Sequence, residues 1–259
     1  YIYTRLNNPT NDVLEQRLAA LERGVAAVAT ASGTAAIATT LMVILKTGDH
    51  IVASSSLYGG TYNLLANTLP RFGITTTFVD PDDPIEFSKA VKSNTRVFFA
   101  ESLGNPKLDV LDLKAISEAA QKAKVPFIVD NTVASPALLN PIEYGANIVI
   151  HSLTKYLTGN GTSLGGVIID AGTFDWSNGN FPEFTSPNPS YHGLNYHEAL
   201  GNIAFIAKVR IEGLRDLGSA PSPFNSFQTI QGIETLDIRM KKHSENALKL
   251  AAWLSTREE

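Results

Sequence analysis

His151-Ser152-Leu153-Thr154-Lys155-Tyr156 follows the apolar run 147–150 and precedes the glycine-rich segment 158–166. The apolar run predicts a buried strand, so these six residues form the turn that leaves it. Lys155 follows two hydroxyl residues in this turn, which suits an amine that must be partly desolvated to attack an aldehyde. We therefore interpret Lys155 as a candidate Schiff-base lysine, against the ordinary alternative of a solvated surface charge.

The segments around this turn alternate between short apolar runs and helical patterns. Strands are predicted at 25–30, 50–53, 75–79, 96–101 and 127–130, and helices at 34–45, 60–72, 84–91 and 111–123. Strands that alternate with helices need crossover connections, which predicts an α/β fold with a mainly parallel sheet covered by helices on both faces. The run 167–169 is expected to add a strand at an edge of the sheet or in reverse direction.

The two ends of the chain are predicted to be helical. A first helix opens at Asn8-Pro9-Thr10 and stops at Gly24. Segment 176–193 is rich in Pro, Asn, Gly and Ser, which indicates a long excursion on the surface. A long helix is expected at 196–217, and a further one at 224–255 with an interruption near Gly232.

Composition restricts the class of partner. The 259 residues are 44% hydrophobic and carry a formal net charge of −4. The sequence has no long basic run, which argues against binding to nucleic acid. The absence of cysteine excludes disulfides and thiolate catalysis. The uncharged stretch 24–45 is too rich in Ala, Thr, Ser and Gly to drive membrane insertion. We expect small-molecule partners, no nucleic acid, no membrane and, because no export signal is visible, a cytoplasmic location.

Ligands of open parallel sheets bind beyond the carboxyl ends of the strands, where four further turns carry suggestive residues. Gly33 and Thr34 lie at a predicted helix N-terminus, where free amides favour a phosphate, although a strand-to-helix connection could simply require a glycine. Asp130 ends an apolar strand and could keep a pyridine nitrogen protonated, cap a helix or bind a metal. Tyr58 could stack on a planar ring or merely pack, and Asn105 could bond a ring hydroxyl.

Two rival sites are weaker. Gly161-Thr162-Ser163-Leu164-Gly165 matches a nucleophile elbow with Asp237 and His243 following in triad order, but a strand-like run follows it where an elbow requires a helix. His192 and His197 lack a third convincing metal ligand, so no metal site is expected.

Six segments together resemble the cysteine/methionine-metabolism family of pyridoxal-phosphate enzymes, which has the aspartate-aminotransferase type of fold (PLP fold type I). They are Tyr3-Thr4-Arg5, Asn8-Pro9-Thr10, Ser32-Gly33-Thr34-Ala35-Ala36, Tyr58-Gly59-Gly60-Thr61, Val129-Asp130-Asn131-Thr132 and Ser152-Leu153-Thr154-Lys155-Tyr156. The resemblance covers essentially the whole chain. Within the family, segments 190–194, 205–218, 222–225 and 232–236 are most similar to O-acetylhomoserine sulfhydrylases.

The resemblance implies roles for individual residues. The implied catalytic residues are Lys155, Tyr58 and Asp130. Lys155 would bind the cofactor aldehyde and move protons, Asp130 would pair with the ring nitrogen, and Tyr58 would stack on the ring and assist proton transfer near the leaving group. The cofactor-binding set that it implies is Tyr3, Arg5, Gly33, Thr34, Tyr58, Asn105, Asp130, Thr132, Ser152, Thr154 and Lys155. Of these, Tyr3 and Arg5 would reach the cofactor of a neighbouring subunit, so a dimer with shared sites that assembles into a tetramer is expected.

The resemblance also implies an activity and a domain organisation. The activity is γ-replacement on an O-acetylated homoserine by sulfide or a thiol. Alternatives are cystathionine γ-synthase or lyase activity, methionine γ-lyase activity, and a truncated, inactive chain; Gly60, where methionine lyases carry cysteine, counts against the methionine lyase. Residues 1–24 would be an arm and first helix, 25–220 the cofactor-binding domain, and 221–259 a linker helix to an absent C-terminal domain that supplies a substrate-binding arginine.

Overall fold

A seven-stranded sheet forms the centre of the computed structural model, which describes residues 1–257. The order across the sheet is β1-β7-β6-β5-β4-β2-β3. The strands are β1 (Ala26–Thr30), β2 (His50–Ser54), β3 (Thr75–Val79), β4 (Thr95–Glu101), β5 (Phe127–Asp130), β6 (Ile148–Ser152) and β7 (Gly166–Asp170). Strands β2 to β6 pair in parallel, as the alternation of strands and helices predicted.

Strand β7 runs antiparallel to both of its neighbours, β1 and β6. The expectation of a reversed strand is therefore confirmed, whereas the expectation of an edge position is wrong. Every residue of β7 is buried, because strands flank it on both sides and helices cover both faces. The edges of the sheet are β1 and β3.

Helices cover both faces of the sheet, in agreement with the predicted α/β class. The α-helices are α1 (Pro9–Glu22), α2 (Gly33–Ile44), α3 (Gly59–Asn63), α4 (Pro84–Lys89), α5 (Leu113–Ala123), α6 (Ser135–Leu138), α7 (Pro182–Thr185), α8 (Tyr196–Leu200), α9 (Ala204–Lys208), α10 (Arg215–Leu217), α11 (Pro223–Ile233) and α12 (Leu236–Leu254). Alternate strand residues point to opposite faces. One face packs against α2, α8 and α9, and the other against α1, α5 and α11.

The first helix shows why these boundaries fall where they do. Pro9 occupies the first turn, where its missing N–H costs nothing, and Asn8 Oδ1 accepts a hydrogen bond from Thr10 N at 2.9 Å. Leu14 and Leu18 lie one turn apart and are fully buried. The predicted start is therefore confirmed.

Two predicted helices are interrupted. Segment 60–72 is α3 followed by a π-helical turn (Leu64–Thr68) and a 3₁₀ turn (Leu69–Phe72), because Pro70 has no N–H to continue the α-helical pattern. Segment 196–217 is broken at Gly201, whose φ of 55° lies in the left-handed region. A 3₁₀ turn (Gly201–Ile203), α9 and a π-helical turn (Val209–Leu214) follow.

The prediction of a surface excursion at 176–193 is wrong for Trp176, Phe181 and Phe184, which are buried. Trp176 is 4% exposed and stacks on Phe184, with ring centroids 4.2 Å apart, and on Phe205 at 5.3 Å. Phe181 meets the Trp176 ring edge to face at 5.1 Å. The turn-forming residues therefore connect aromatic anchors that belong to the core.

The final helix, α12, follows α11 after a short break at residues 234–235, close to the interruption predicted near Gly232. Leu236 and Met240 are buried at its start, whereas Leu248 and Trp253 near its end are exposed. Among residues 1–257, no helix is both long enough and apolar enough to cross a membrane.

Candidate active site

A cavity of about 630 Å³ opens at the carboxyl ends of β4, β5 and β6. It brings together nine of the eleven predicted cofactor-binding residues: Gly33, Thr34, Tyr58, Asn105, Asp130, Thr132, Ser152, Thr154 and Lys155. Because the strands that carry these turns are parallel, their carboxyl ends meet at one edge of the sheet. Residues far apart in sequence therefore line one cavity.

The N-terminus of α2 forms one side of the cavity. Ser32 caps the helix, because its Oγ accepts a hydrogen bond from Ala35 N at 3.0 Å. Within the described residues, the amides of Gly33 and Thr34 donate to no protein acceptor. A Cβ added to Gly33 would lie 2.7 Å from Ser152 Cβ, so only glycine lets the helix approach the lysine turn this closely.

Asp130 lines the cavity and is partly buried at the end of β5. Thr132 donates to Asp130 Oδ1 through both its amide, at 3.0 Å, and its hydroxyl. Burial raises the pKa of Asp130, while the two Thr132 hydrogen bonds and the neighbouring His151 act in the opposite direction. In the described part of the chain Oδ2 accepts no hydrogen bond, so that oxygen is free to accept one from a ligand.

A buried polar network fixes β5 and β6 on the other face of the sheet. His151 Nε2 lies 2.6 Å from Glu22 Oε1, and both side chains are fully buried. Asn131 donates to the same Glu22 oxygen at 2.9 Å and accepts from Ser102 Oγ at 2.8 Å. These contacts link α1 to three strand ends and hold Asp130 and Ser152 at fixed positions.

Lys155 lies in the turn after β6 and is exposed at the cavity. The desolvation that we expected for its amine is therefore not present in the protein alone. The turn itself is held firmly: Arg239 donates to Tyr156 O and to Gly232 O, each at 2.8 Å. Sequence reasoning missed Arg239, because nothing in its helical context signals a contact with the distant lysine turn.

Tyr58 and Asn105 also line the cavity. A Cβ added to Gly60 would lie 2.5 Å from Tyr58 Cε1, which shows that the ring lies directly over this glycine. Tyr58 is 53% exposed, so one face of its ring is available to a ligand. The amide of Tyr58 donates to Glu101 Oε1 at 2.7 Å.

Tyr3 and Arg5, the remaining two predicted residues, lie outside the cavity. The Arg5 guanidinium donates to Arg215 O and lies 5.1 Å from the centroid of the Tyr3 ring. Tyr3 is exposed. Their expected role concerns a neighbouring subunit, so it stays a prediction.

The nucleophile-elbow interpretation conflicts with the local structure. Ser163 Oγ donates to Gln228 Oε1 at 2.6 Å, and the chain continues into β7 rather than into a helix. An elbow serine requires a strand-to-helix turn and a free hydroxyl, so Ser163 is a structural residue here.

The cavity combines free amides at a helix N-terminus, a lysine in reach of the same space and a partly buried carboxylate. These are the groups that a phosphate, an aldehyde and a protonated pyridine require. A side chain at position 33 would collide with Ser152, so glycine keeps these free amides beside the lysine turn. This fold and this site are those of pyridoxal-phosphate enzymes with fold type I.

Comparison with known proteins agrees. The chain belongs to the family described as Cys/Met metabolism PLP-dependent enzyme, whose profile matches residues 1–259. The predicted cofactor, pyridoxal phosphate, is therefore confirmed. The chain is 59% identical to O-acetyl-L-homoserine sulfhydrylase of Leptospira meyeri, over 98% of this chain and 59% of that protein. It is 50% identical to homocysteine synthase of Schizosaccharomyces pombe, over 98% and 60% respectively.

A solved structure from Campylobacter jejuni, assigned as O-acetylhomoserine (thiol)-lyase, superposes with a TM-score of 0.95 at 42% identity. The superposition covers 99% of this chain and 64% of that one, and the Campylobacter protein carries a pyridoxyl-lysine phosphate. The chain therefore spans about three fifths of the length of the relatives it matches.

Proposed function

We propose that the protein to which this chain belongs catalyses γ-replacement on O-acetyl-L-homoserine. Sulfide or a thiol takes the place of acetate at the γ-carbon, giving homocysteine or methionine. The observation that carries the proposal is the shared cavity of Lys155, Asp130, Tyr58 and the Gly33 turn. The names of the Leptospira and Schizosaccharomyces relatives support this choice of substrate and product.

The positions of the residues support a role for each of them. Bound pyridoxal phosphate supplies an electron sink for charge that develops at the substrate α-carbon. The amides of Gly33 and Thr34 and the hydroxyls of Ser152 and Thr154 would hold the phosphate. Asp130 would hold the proton of the ring nitrogen, with Thr132 favouring its ionised form.

Lys155 would bind the cofactor aldehyde and then carry protons at the α- and β-carbons of the substrate. Its exposed amine and the fixed turn behind it suit a group that must swing between two atoms. Tyr58 would stack on the cofactor ring, and Asn105 would bond the ring hydroxyl.

Product analysis of the full-length gene product tests this proposal. With O-acetyl-L-homoserine and sulfide, methanethiol or cysteine in turn, we expect acetate and the thioether or thiol product in equal amounts. If 2-oxobutanoate and ammonia form instead, the reaction is elimination, and a lyase assignment replaces ours. Gly60, which lies against the Tyr58 ring, stands where the methionine lyases carry cysteine, and this difference supports the proposal over that alternative.

We further propose a dimer with shared sites, assembled into a tetramer, in which Tyr3 and Arg5 bind the phosphate of a neighbouring subunit's cofactor. Both lie outside their own cavity, and a guanidinium suits bidentate phosphate binding. An Arg5→Ala subunit mixed with a Lys155→Ala subunit should regain activity, because one site of each mixed dimer keeps both residues. If mixed dimers form and stay inactive, Arg5 does not serve a neighbouring site.

A further inference from the structure

Glu101 is a second carboxylate on the cavity wall that the roles above do not use. It is the last residue of β4 and pairs in register with Asp130, the last residue of β5. Phe99 and Ile128, two residues earlier in each strand, share one side of the sheet, so both carboxylates point to the same face. Glu101 is 7% exposed.

Its hydrogen bond connects it to the aromatic wall of the cavity. Glu101 Oε1 accepts from Tyr58 N at 2.7 Å, across 43 residues of sequence. Tyr58 is the N-cap of α3, and its own side chain makes no capping bond. Glu101 thus supplies, from a neighbouring strand, the acceptor that this helix start lacks.

Two adjacent carboxylates on one buried face cannot both ionise at low cost. Asp130 Oδ1 receives two hydrogen bonds from Thr132, whereas the Tyr58 amide is the one donor to Glu101 within residues 1–257. The ionised form is therefore better stabilised on Asp130, and the proton stays on Glu101. Consistent with this, burial and the nearby Asp130 raise the pKa of Glu101 to about 8.

We propose that Glu101 is a positioning residue of this site, which anchors the Tyr58 backbone and leaves Asp130 as the single negative charge beside the cofactor ring. This inference rests on the proposed function. Besides Asp130, the ionisable group that acts on Glu101 is Asp109, from the loop after β4. Lys155, Arg239 and His243 line the same cavity.

Three variants of the full-length holoenzyme separate the parts of this proposal. Glu101→Gln keeps an oxygen acceptor for Tyr58 N but cannot ionise, and Glu101→Leu loses both properties. Asp170→Asn is the matched control, since burial raises the pKa of Asp170 to about 7 on β7, outside the cavity. We expect Glu101→Gln to retain cofactor affinity within about twofold, and Glu101→Leu to lose roughly tenfold.

Stability against pH reports the charge. The folded pKa of Glu101 lies above its unfolded value, so folding favours the protonated side chain. This contribution to the stability of the wild type is fully present below the unfolded pKa and is lost as the pH rises through about 8. The difference in melting temperature between Glu101→Gln and the wild type should therefore rise from the unfolded pKa of 4.5 to about pH 8 and then level off. Asp170→Asn should show a similar rise that ends near pH 7.

The absorbance of the bound cofactor reports the site. Below about pH 8 Glu101 is neutral, so Glu101→Gln should keep the wild-type absorbance of the bound cofactor; above about pH 8 the wild type gains a negative charge beside Asp130 that Glu101→Gln lacks, so the two spectra should diverge. Asp170→Asn should keep the wild-type spectrum throughout. Identical spectra of Glu101→Gln and wild type above about pH 8, or full cofactor affinity in Glu101→Leu, would overturn this role alone. Failure of the wild type to bind pyridoxal phosphate would overturn the proposed function as well.

Discussion

Replacement of Lys155 by alanine is expected to abolish the covalent link to pyridoxal phosphate and to lower turnover by at least about 10³-fold. The reason is that one amine both binds the cofactor aldehyde and moves the substrate protons. The cofactor should still bind without covalent attachment, because the Gly33 and Thr34 amides and the Thr132-supported carboxylate remain. Retained noncovalent cofactor, measured after dialysis, would show that the site is intact.

Peptide mapping makes this expectation specific. Reduction of the wild-type holoenzyme with borohydride should fix the pyridoxyl group on the peptide that contains Lys155. Lys107→Ala is the matched control, because this exposed lysine lies two residues beyond Asn105 at the cavity. It should be labelled and active like the wild type. A pyridoxyl group on any other lysine would refute the assignment.

The second large effect is expected for Asp130→Asn. A neutral amide cannot favour the protonated ring, so proton removal from the substrate α-carbon should slow by roughly 10²- to 10⁴-fold. The fold should be preserved, because an amide oxygen can still accept the Thr132 hydrogen bonds. Exchange of the substrate α-proton with deuterated solvent measures this step directly.

The pH dependence of the wild type gives an independent readout of Asp130. Its pKa is raised by burial, so activity should fall on the acid side at a higher pH than an exposed aspartate would give. Asp130→Glu, which keeps the charge on a longer side chain, should retain more exchange than Asp130→Asn. Unchanged turnover in Asp130→Asn would mean that the ring nitrogen has another partner.

Much of the fold follows from local pattern. Strands β3 and β5 have the predicted bounds, because each is a short run of β-branched or apolar residues between turn residues. The position of β7 does not follow, since its sequence is equally compatible with an edge and an interior place. The buried aromatic cluster around Trp176 was also missed, because Pro, Asn and Gly in the same segment indicated solvent exposure.

The site was more predictable than its surroundings. Lys155 and Asp130 each end or follow an apolar strand, and parallel strands bring such positions together. Glu101 carries the same signal at the end of β4, but its partner Tyr58 is a backbone group, which sequence cannot indicate. Arg239 depends on the packing of α12 against the lysine turn, a contact between segments 83 residues apart.

The insertion of β7 between β1 and β6 also constrains the order in which the protein folds. Strand β1 is made early but pairs in the sheet with β7, so residues 31–165 must be synthesised before it can join. Such long-range pairing raises contact order and slows folding, since a long loop must close before the pairing stabilises it. By contrast, β6 pairs with β7, which follows it directly in the chain. We therefore expect the hairpin of β6 and β7, whose connection carries Lys155, to form early and β1 to dock in a late, rate-limiting step.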